Sequence, residues 1–340
     1  MKVLVTGGAG YVGARLVPHL LEHGHKVDVL DKLVFGDGAL APCRDRVGLE
    51  VKDIRRTSRE DFEGYDAVVH LAGISNDPTA EYNPEANLSI NRDGTAHVAK
   101  AARDAGVPRF VFASSCSIYY TLDPDDTVRD EDYPVEPKAP YSLSKHLAEK
   151  ALLDLASDGF SPVCLRKGTI YGQSGRMRYD LVANTFTKDA FARRMLTIHA
   201  GGRMWRPILN MADAVEAYRL AVEAPAEKVH GKVINVLSEN TRILDLARKV
   251  RGQLEGHSGI KLDLNVQEVG AVRSYNVEGA RSRDLLGFEP KSKLASEVSA
   301  MWDILESGVE YADPIFYNIR WLELLCEMRD RIAKMGGDPL

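Results

Sequence analysis

The stretch KVLVTGGAGYVG, residues 2–13, decides the fold. Lys2–Thr6 is apolar inside and reads as a strand buried on both faces. The run from Tyr11 to His23 has helical spacing. Between them stand Gly7, Gly10 and Gly13. Gly7 permits a tight turn, Gly10 lets a pyrophosphate approach the backbone, and Gly13 lets the helix pack on the strand. The helix N-terminus adds free N–H groups and a partial positive charge. Glycines alone fit any strand-to-helix turn. Here the next strand, Val27–Leu30, ends in Asp31, close to the expected position about 20 residues on. An Asp there accepts from adenosine ribose hydroxyls and repels a 2′-phosphate. The pattern predicts a dinucleotide site that favours NAD over NADP, with Lys32 the one neighbour that argues the other way.

Working outward, strand-like runs alternate with helical ones: Asp66–Leu71, a long helical stretch over 84–105, Arg109–Ser114, a helix over 141–155 and Pro162–Arg166. Such alternation predicts an α/β fold, a doubly wound parallel sheet with helices on both faces. After residue 167 the pattern loosens into a smaller, arginine-rich lobe. The 340-residue length suits about two domains. The expected division is 1–167, with contributions from about 210–236, and 168–340. Helical spacing in the tail, 314–334, predicts a helix that packs on its own domain or contacts another subunit. Asp123–Pro140, proline-rich and acidic, is expected to be a surface loop.

Composition excludes several classes. With 44% hydrophobic and 27% charged residues, wholesale disorder is ruled out. A net charge of -5 is a poor match to general nucleic-acid binding. No apolar run reaches about 18 residues, so no membrane span is expected. Glycines and Arg15 interrupt any signal-peptide core. Cys43, Cys116, Cys164 and Cys326 lack CxxC spacing, so neither disulfides nor a metal site are expected, and a reduced cytoplasm is the simpler setting.

The second informative stretch is Tyr141-Ser142-Leu143-Ser144-Lys145. Positions i and i+4 share a helix face. A lysine ammonium one turn from a phenol lowers the phenol pKa, and the phenolate can take a proton from a substrate hydroxyl as hydride leaves its carbon. The spacing alone is common. Ser115, ending the preceding strand, adds a hydroxyl able to share the same substrate oxygen. Asp53, after the third strand, either accepts from an adenine amino group or is a surface Asp beside Arg55 and Arg56. Leu71, Ala72 and Gly73 put small groups where a cofactor passes. His70 is expected to be a buried structural histidine.

Together TGGAGYVG, Asp31, HLAG, NRDGT (91–95), SSCSIY, YSLSK, LRKGTIYG (165–172) and LLGFEP (285–290) resemble the extended short-chain dehydrogenase/reductases, specifically the NAD-dependent nucleotide-sugar epimerase/dehydratase family. The resemblance implies a Rossmann-type domain, a smaller C-terminal α/β substrate lobe and a nucleotide-diphosphate sugar as substrate. It implies Ser115, Tyr141 and Lys145 as the catalytic set. It implies cofactor contacts from Gly7, Gly10, Tyr11, Val12, Asp31, Asp53, Ile54, Leu71, Ala72, Gly73, Asn91, Tyr141 and Lys145. It also implies a homodimer through the helices near 84–105 and 141–157.

Departures from the pattern narrow the chemistry. The Asp and Glu that dehydratases carry after the Ser/Thr are Cys116 and Ser117 here, which argues against elimination of water. Cys116 is either an acid/base thiol or a small buried residue. Thr169 replaces the usual phosphate-contacting Asn, and Lys167 stands where an aromatic is common. Arg206 and Arg273 are the expected diphosphate clamp, since fork-shaped donors suit a diphosphate. Arg176 and Arg178, in a segment that looks mobile, are candidates to touch the substrate. Ser75, Asn76 and Ser117 are candidates to read sugar hydroxyls, with a plain Asn76-Asp77-Pro78 turn the alternative at the first two. The activity these residues favour is an epimerase acting through a transient 4-keto sugar, with a net 4-ketoreductase or 4-dehydrogenase as the alternative.

Overall fold

The opening KVLVT is a strand, Lys2–Thr6, inside a seven-stranded sheet. A computed structural model describes residues 1–122, 125–270 and 273–335. Asp123 and Pro124 of the expected surface loop, and the last five residues of the expected second domain, lie outside the described residues. From one edge the sheet runs Lys232–Val236, Ser161–Lys167, Arg109–Ser115, Ala67–His70, Lys2–Thr6, Lys26–Asp31 and Gly48–Val51. Every neighbouring pair is parallel. The expected doubly wound sheet is therefore present.

Alternation along the central strands sorts the core. Val3, Val5, Val29 and Val69 face one side, with Leu16, Val17 and Leu20 of the helix Gly13–Glu22 and Val215 of the helix Met211–Glu223. Leu4, Leu30, Val68 and Phe110 face the other, with Val98 of the helix Thr95–Asp104 and Leu152 of the helix Pro140–Leu153. Each such side chain contributes about 1.5–3 kcal/mol on burial. The order reverses at Lys2–Thr6, which has Lys26–Asp31 on one side and Ala67–His70 on the other. In open α/β sheets the ligand crevice lies at the carboxyl ends of the strands where the order reverses. Here those ends are Gly7 and Leu71–Gly73.

After Lys167 the chain builds a second layer. Trp205–Asn210 runs parallel to Thr169–Tyr171 and antiparallel to Glu239–Arg242. Met195–Ile198 pairs with Asp263–Val266. The helices Val182–Arg193, Ile243–Ser258 and Leu294–Glu306 share one apolar cluster that includes the buried Trp302.

Three expectations need correction. The stretch 84–105 is not one regular helix, because a π turn at Ser89–Gly94 separates Pro84–Leu88 from Thr95–Asp104. The acidic segment is not a plain surface loop. Val128–Arg129 pairs with Asn276–Val277, Arg129 is buried, and Glu131 accepts from the Asn235 N–H at 2.7 Å. Nor is Asn76-Asp77-Pro78 a simple turn. The Asn76 side chain caps a short helix, Asp77–Tyr82, with Pro78 in its first turn, where a missing N–H costs nothing. The tail helix, Asn318–Lys334, packs on its own chain. It lies against Asp77–Tyr82, and Trp321 Nε1 donates to Val34 O at 2.7 Å.

Candidate active site

The glycine turn is held from both sides. Gly7 has φ +76°, and a Cβ there would stand 2.6 Å from Ala72 N, so neither its backbone shape nor its space admits a side chain. A Cβ on Gly13 would stand 2.5 Å from Gly7 O and Gly8 Cα, which is how closely the helix seats on the turn. Asp31 ties this turn to its own loop: Oδ2 accepts from Ala9 N–H (3.0 Å) and Oδ1 from Leu33 N–H (2.8 Å). Burial pushes its carboxyl pKa up, and these backbone donors oppose that.

A cleft of about 330 Å3 opens beside the turn. Gly7, Gly10, Tyr11, Val12, Leu71 and Gly73 line its floor. Asp31, Asp53, Ile54, Ala72 and Asn91 are not on its wall. Asp53 bonds Arg55 (2.7 Å) and Lys32 (3.1 Å), and Arg55 above all holds its carboxyl well below the usual range. Ile54 is buried under Gly94. Asn91 works as a brace. It accepts from Ile74 N–H (2.8 Å) and donates to Ile74 O (2.8 Å), fixing the segment after Ala67–His70. His70 is fully buried between Thr6 Oγ1 (2.6 Å) and Thr95 Oγ1 (3.1 Å), and burial lowers its pKa to about 3.

Pro140 starts the next helix, and Tyr141 and Lys145 follow one turn apart on the cleft wall. Lys145 is only 4% exposed, with its Nζ 4.8 Å from the Phe112 ring centroid. Among the described residues, no carboxylate lies within ion-pair distance of it. Burial, with the nearby Lys167 ammonium, pulls its pKa down to about 7. Burial, with the Asp77 carboxylate, pushes the Tyr141 phenol up to about 12, and the Ser115 hydroxyl partly offsets this. Ser115 Oγ donates to Ser117 Oγ (3.0 Å), and Ser142 Oγ donates to Ser117 O (3.0 Å). Ser115 and Ser117 both line the cleft.

Beneath this set lies a pair that sequence reasoning missed. Arg166 and Glu149 form a buried ion pair at 2.7 Å, and Ser114 Oγ donates to Glu149 Oε1 at 2.5 Å. The pair locks the helix carrying Tyr141 and Lys145 to two strands. Glu149 stands four residues after Lys145 on the same face, which was the available signal. Cys116 is turned away from the cleft. It is fully buried, its Sγ donates to Arg166 O (3.0 Å), and burial pushes the thiol up. This environment fits the small buried residue rather than the acid/base thiol.

The cleft lining is also rich in arginine. Ser75, Asn76, Thr169, Arg178, Arg206 and Arg273 all belong to it. Arg206 comes from the strand Trp205–Asn210, sits 4.9 Å from the Tyr275 ring centroid, and among the described residues donates to Trp205 O alone (2.9 Å). Arg273 is paired with Asp77 and Glu81, partners the sequence did not suggest. Arg178 forks onto Asp180 (2.9 and 3.0 Å) and donates to Ser75 Oγ (2.9 Å). The segment around Arg176 and Arg178 is tied down rather than mobile-looking: Gly172 N–H donates to Asn184 Oδ1 (3.0 Å) and Gln173 N–H to Glu297 Oε2 (3.2 Å). Lys167, Tyr218 and Asn318 also line the cleft and were not among the expected site residues.

The model of the NAD dependent epimerase/dehydratase family matches residues 3–236. A UDP-glucose 4-epimerase of Lactobacillus helveticus is 29% identical over 324 residues, covering 88% of this chain and 95% of that one. A UDP-N-acetyl-alpha-D-glucosaminuronate decarboxylase of Bacillus cytotoxicus is 28% identical over 269 residues, 77% of this chain and 82% of the other. Among solved structures, a dTDP-glucose 4,6-dehydratase of Streptomyces venezuelae superposes with a TM-score of 0.80 at 23% identity, covering 93% of this chain and 100% of that chain.

Proposed function

The chain belongs to the NAD dependent epimerase/dehydratase family, and from that premise we propose that it is a nucleotide-diphosphate-sugar epimerase that works through a transient 4-keto sugar. The observation that carries this reading is one cleft holding Ser115, Tyr141, Lys145 and Arg206, the last two without an ion pair among the described residues.

The residues present fit NAD. The glycine turn leaves a cradle that a Cβ would fill, and Lys145 is a buried amine with no carboxylate within ion-pair distance among the described residues. Gly7, Gly10, Tyr11 and Val12 would hold its diphosphate, and Lys145 its nicotinamide ribose. When bound, NAD supplies reversible two-electron oxidation of a sugar carbinol. Tyr141 takes the proton from the C4 hydroxyl and later returns it. Because burial holds the phenol near 12, it needs a cation beside it to ionise, and Lys145 stands one helical turn away. Ser115 holds the same oxygen. Arg206 and Arg273 grip the diphosphate, while Ser75, Asn76, Ser117, Thr169 and Arg178 face the sugar. Dehydration is disfavoured because Cys116 is inert and Ser117 is no carboxylate base. The reading treats 1–167 with about 210–236 as the NAD domain, 168–340 as the sugar-nucleotide lobe, and the protein as a cytoplasmic homodimer.

The test is to denature the purified protein, assay released nicotinamide, and follow NDP-sugars by NMR. Near-stoichiometric NAD and an inverted sugar with no net NADH are expected. Tyr141→Phe should lose roughly 10²–10⁴-fold in turnover with NAD content unchanged. Accumulating NADH with a keto sugar would instead mean a net dehydrogenase and overturn the epimerase.

A further inference from the structure

Two segments from the second half of the chain close over the glycine turn. Ser174 Oγ donates to Tyr11 O (2.6 Å), and Tyr11 OH donates to Gly172 O (2.7 Å). On the other side, the tail helix is tied to Val34 O through Trp321. Arg176 sits between these ties.

Arg176 is 5% exposed and lines the cleft. Its guanidinium lies 3.6 Å from the ring centroid of Phe35, just beyond Asp31. One Nη donates to Asn318 Oδ1 (2.6 Å) and Ile315 O (3.3 Å), while its Nε is buried with no hydrogen-bond partner. No carboxylate lies within 4.0 Å of it among the described residues. Burial pulls its pKa down to about 9, and Arg178 adds to this. Its neighbour Arg178 already has Asp180. A buried cation without a counter-charge is costly, and a fork of donors facing a cleft is matched by a phosphate.

We propose that Arg176 binds the diphosphate of NAD, gripping it from the side opposite the glycine turn. This assigns Arg176 to the cofactor rather than to the sugar nucleotide. Its aromatic neighbour follows the Lys26–Asp31 strand, and its segment is bonded to Tyr11 of the glycine turn. Arg206 and Arg273 instead sit by Tyr275 and Tyr120. The inference rests on the reading of the cleft as an NAD site.

The experiment uses the full chain stripped of nucleotide, with NAD, ADP-ribose and UDP as calorimetric probes. Arg176→Gln should weaken NAD and ADP-ribose alike by roughly 10- to 100-fold, the worth of a charge-assisted hydrogen bond, and leave UDP within about twofold. Arg206→Gln should show the reverse pattern. Unchanged NAD and ADP-ribose affinity, or a loss that falls on UDP, overturns the assignment. Wild-type protein that binds neither NAD nor ADP-ribose overturns the cofactor reading itself. Should Arg176→Gln not fold, Arg176→Lys is scored on the same probes. It keeps the charge but not the fork, and the same two patterns decide.

Discussion

Replacing Lys145 by Met should make the nucleotide-free protein more stable while abolishing turnover. Lys145 is 4% exposed, and its pKa falls from 10.5 to about 7 in the fold. The unfolded chain keeps a proton on this amine up to about pH 10.5, the folded chain only to about pH 7. Between those values the unfolded state holds more protons, so stability rises with pH. The burden of this one amine is about 4 kcal/mol at pH 7 and about 2 kcal/mol at pH 9. Met has a similar stem and no charge, so Lys145→Met removes that burden. Urea unfolding of both proteins at pH 7 and pH 9 measures it. The gain should roughly halve between the two pH values. A variant less stable than wild type at pH 7, or a gain that ignores pH, would refute the reasoning. Groups arranged for function commonly lower stability in this way.

Cys116→Ala should leave turnover within about twofold, because the thiol points at Arg166 O and not into the cleft; a steady-state assay decides it, and a large loss would restore the thiol to the chemistry. Glu149→Gln breaks the buried pair with Arg166 and should cost about 3–5 kcal/mol in urea unfolding, since it leaves an uncompensated guanidinium.

The fold was legible because its signals are local. A strand, a glycine turn, a helix and an Asp at the next strand end fall within the first 31 residues. Tyr141 and Lys145 were legible for the same reason, since helical spacing puts them on one face. What was not legible depends on distant partners. Nothing near Arg273 announces Asp77, and nothing near Arg176 announces Asn318. Direction was equally hidden. Asp31 and Cys116 occupy suggestive positions, but only the fold shows that Asp31 is engaged by Ala9 and Leu33 N–H groups and that Cys116 faces a carbonyl. The π turn at Ser89–Gly94 has no simple sequence mark, yet it lies where Asn91 braces the cleft floor, the kind of place where such turns are often found.

The match to the family model ends at residue 236, similarity to single relatives runs on past it, and Arg273, Tyr275 and Asn318 complete the cleft from beyond that point. Part of the surface that admits molecules to the reacting groups is thus written apart from them in the gene. A lineage can drift in what it accepts while Ser115, Tyr141 and Lys145 stay untouched. The same separation makes chimaeras practical, because exchanging residues 237–335 with a relative changes Arg273, Tyr275 and Asn318 and keeps the reacting helix. It also warns the protein engineer: a truncation that unseats Asn318 would release Arg176 and Ser75, both on the cleft lining.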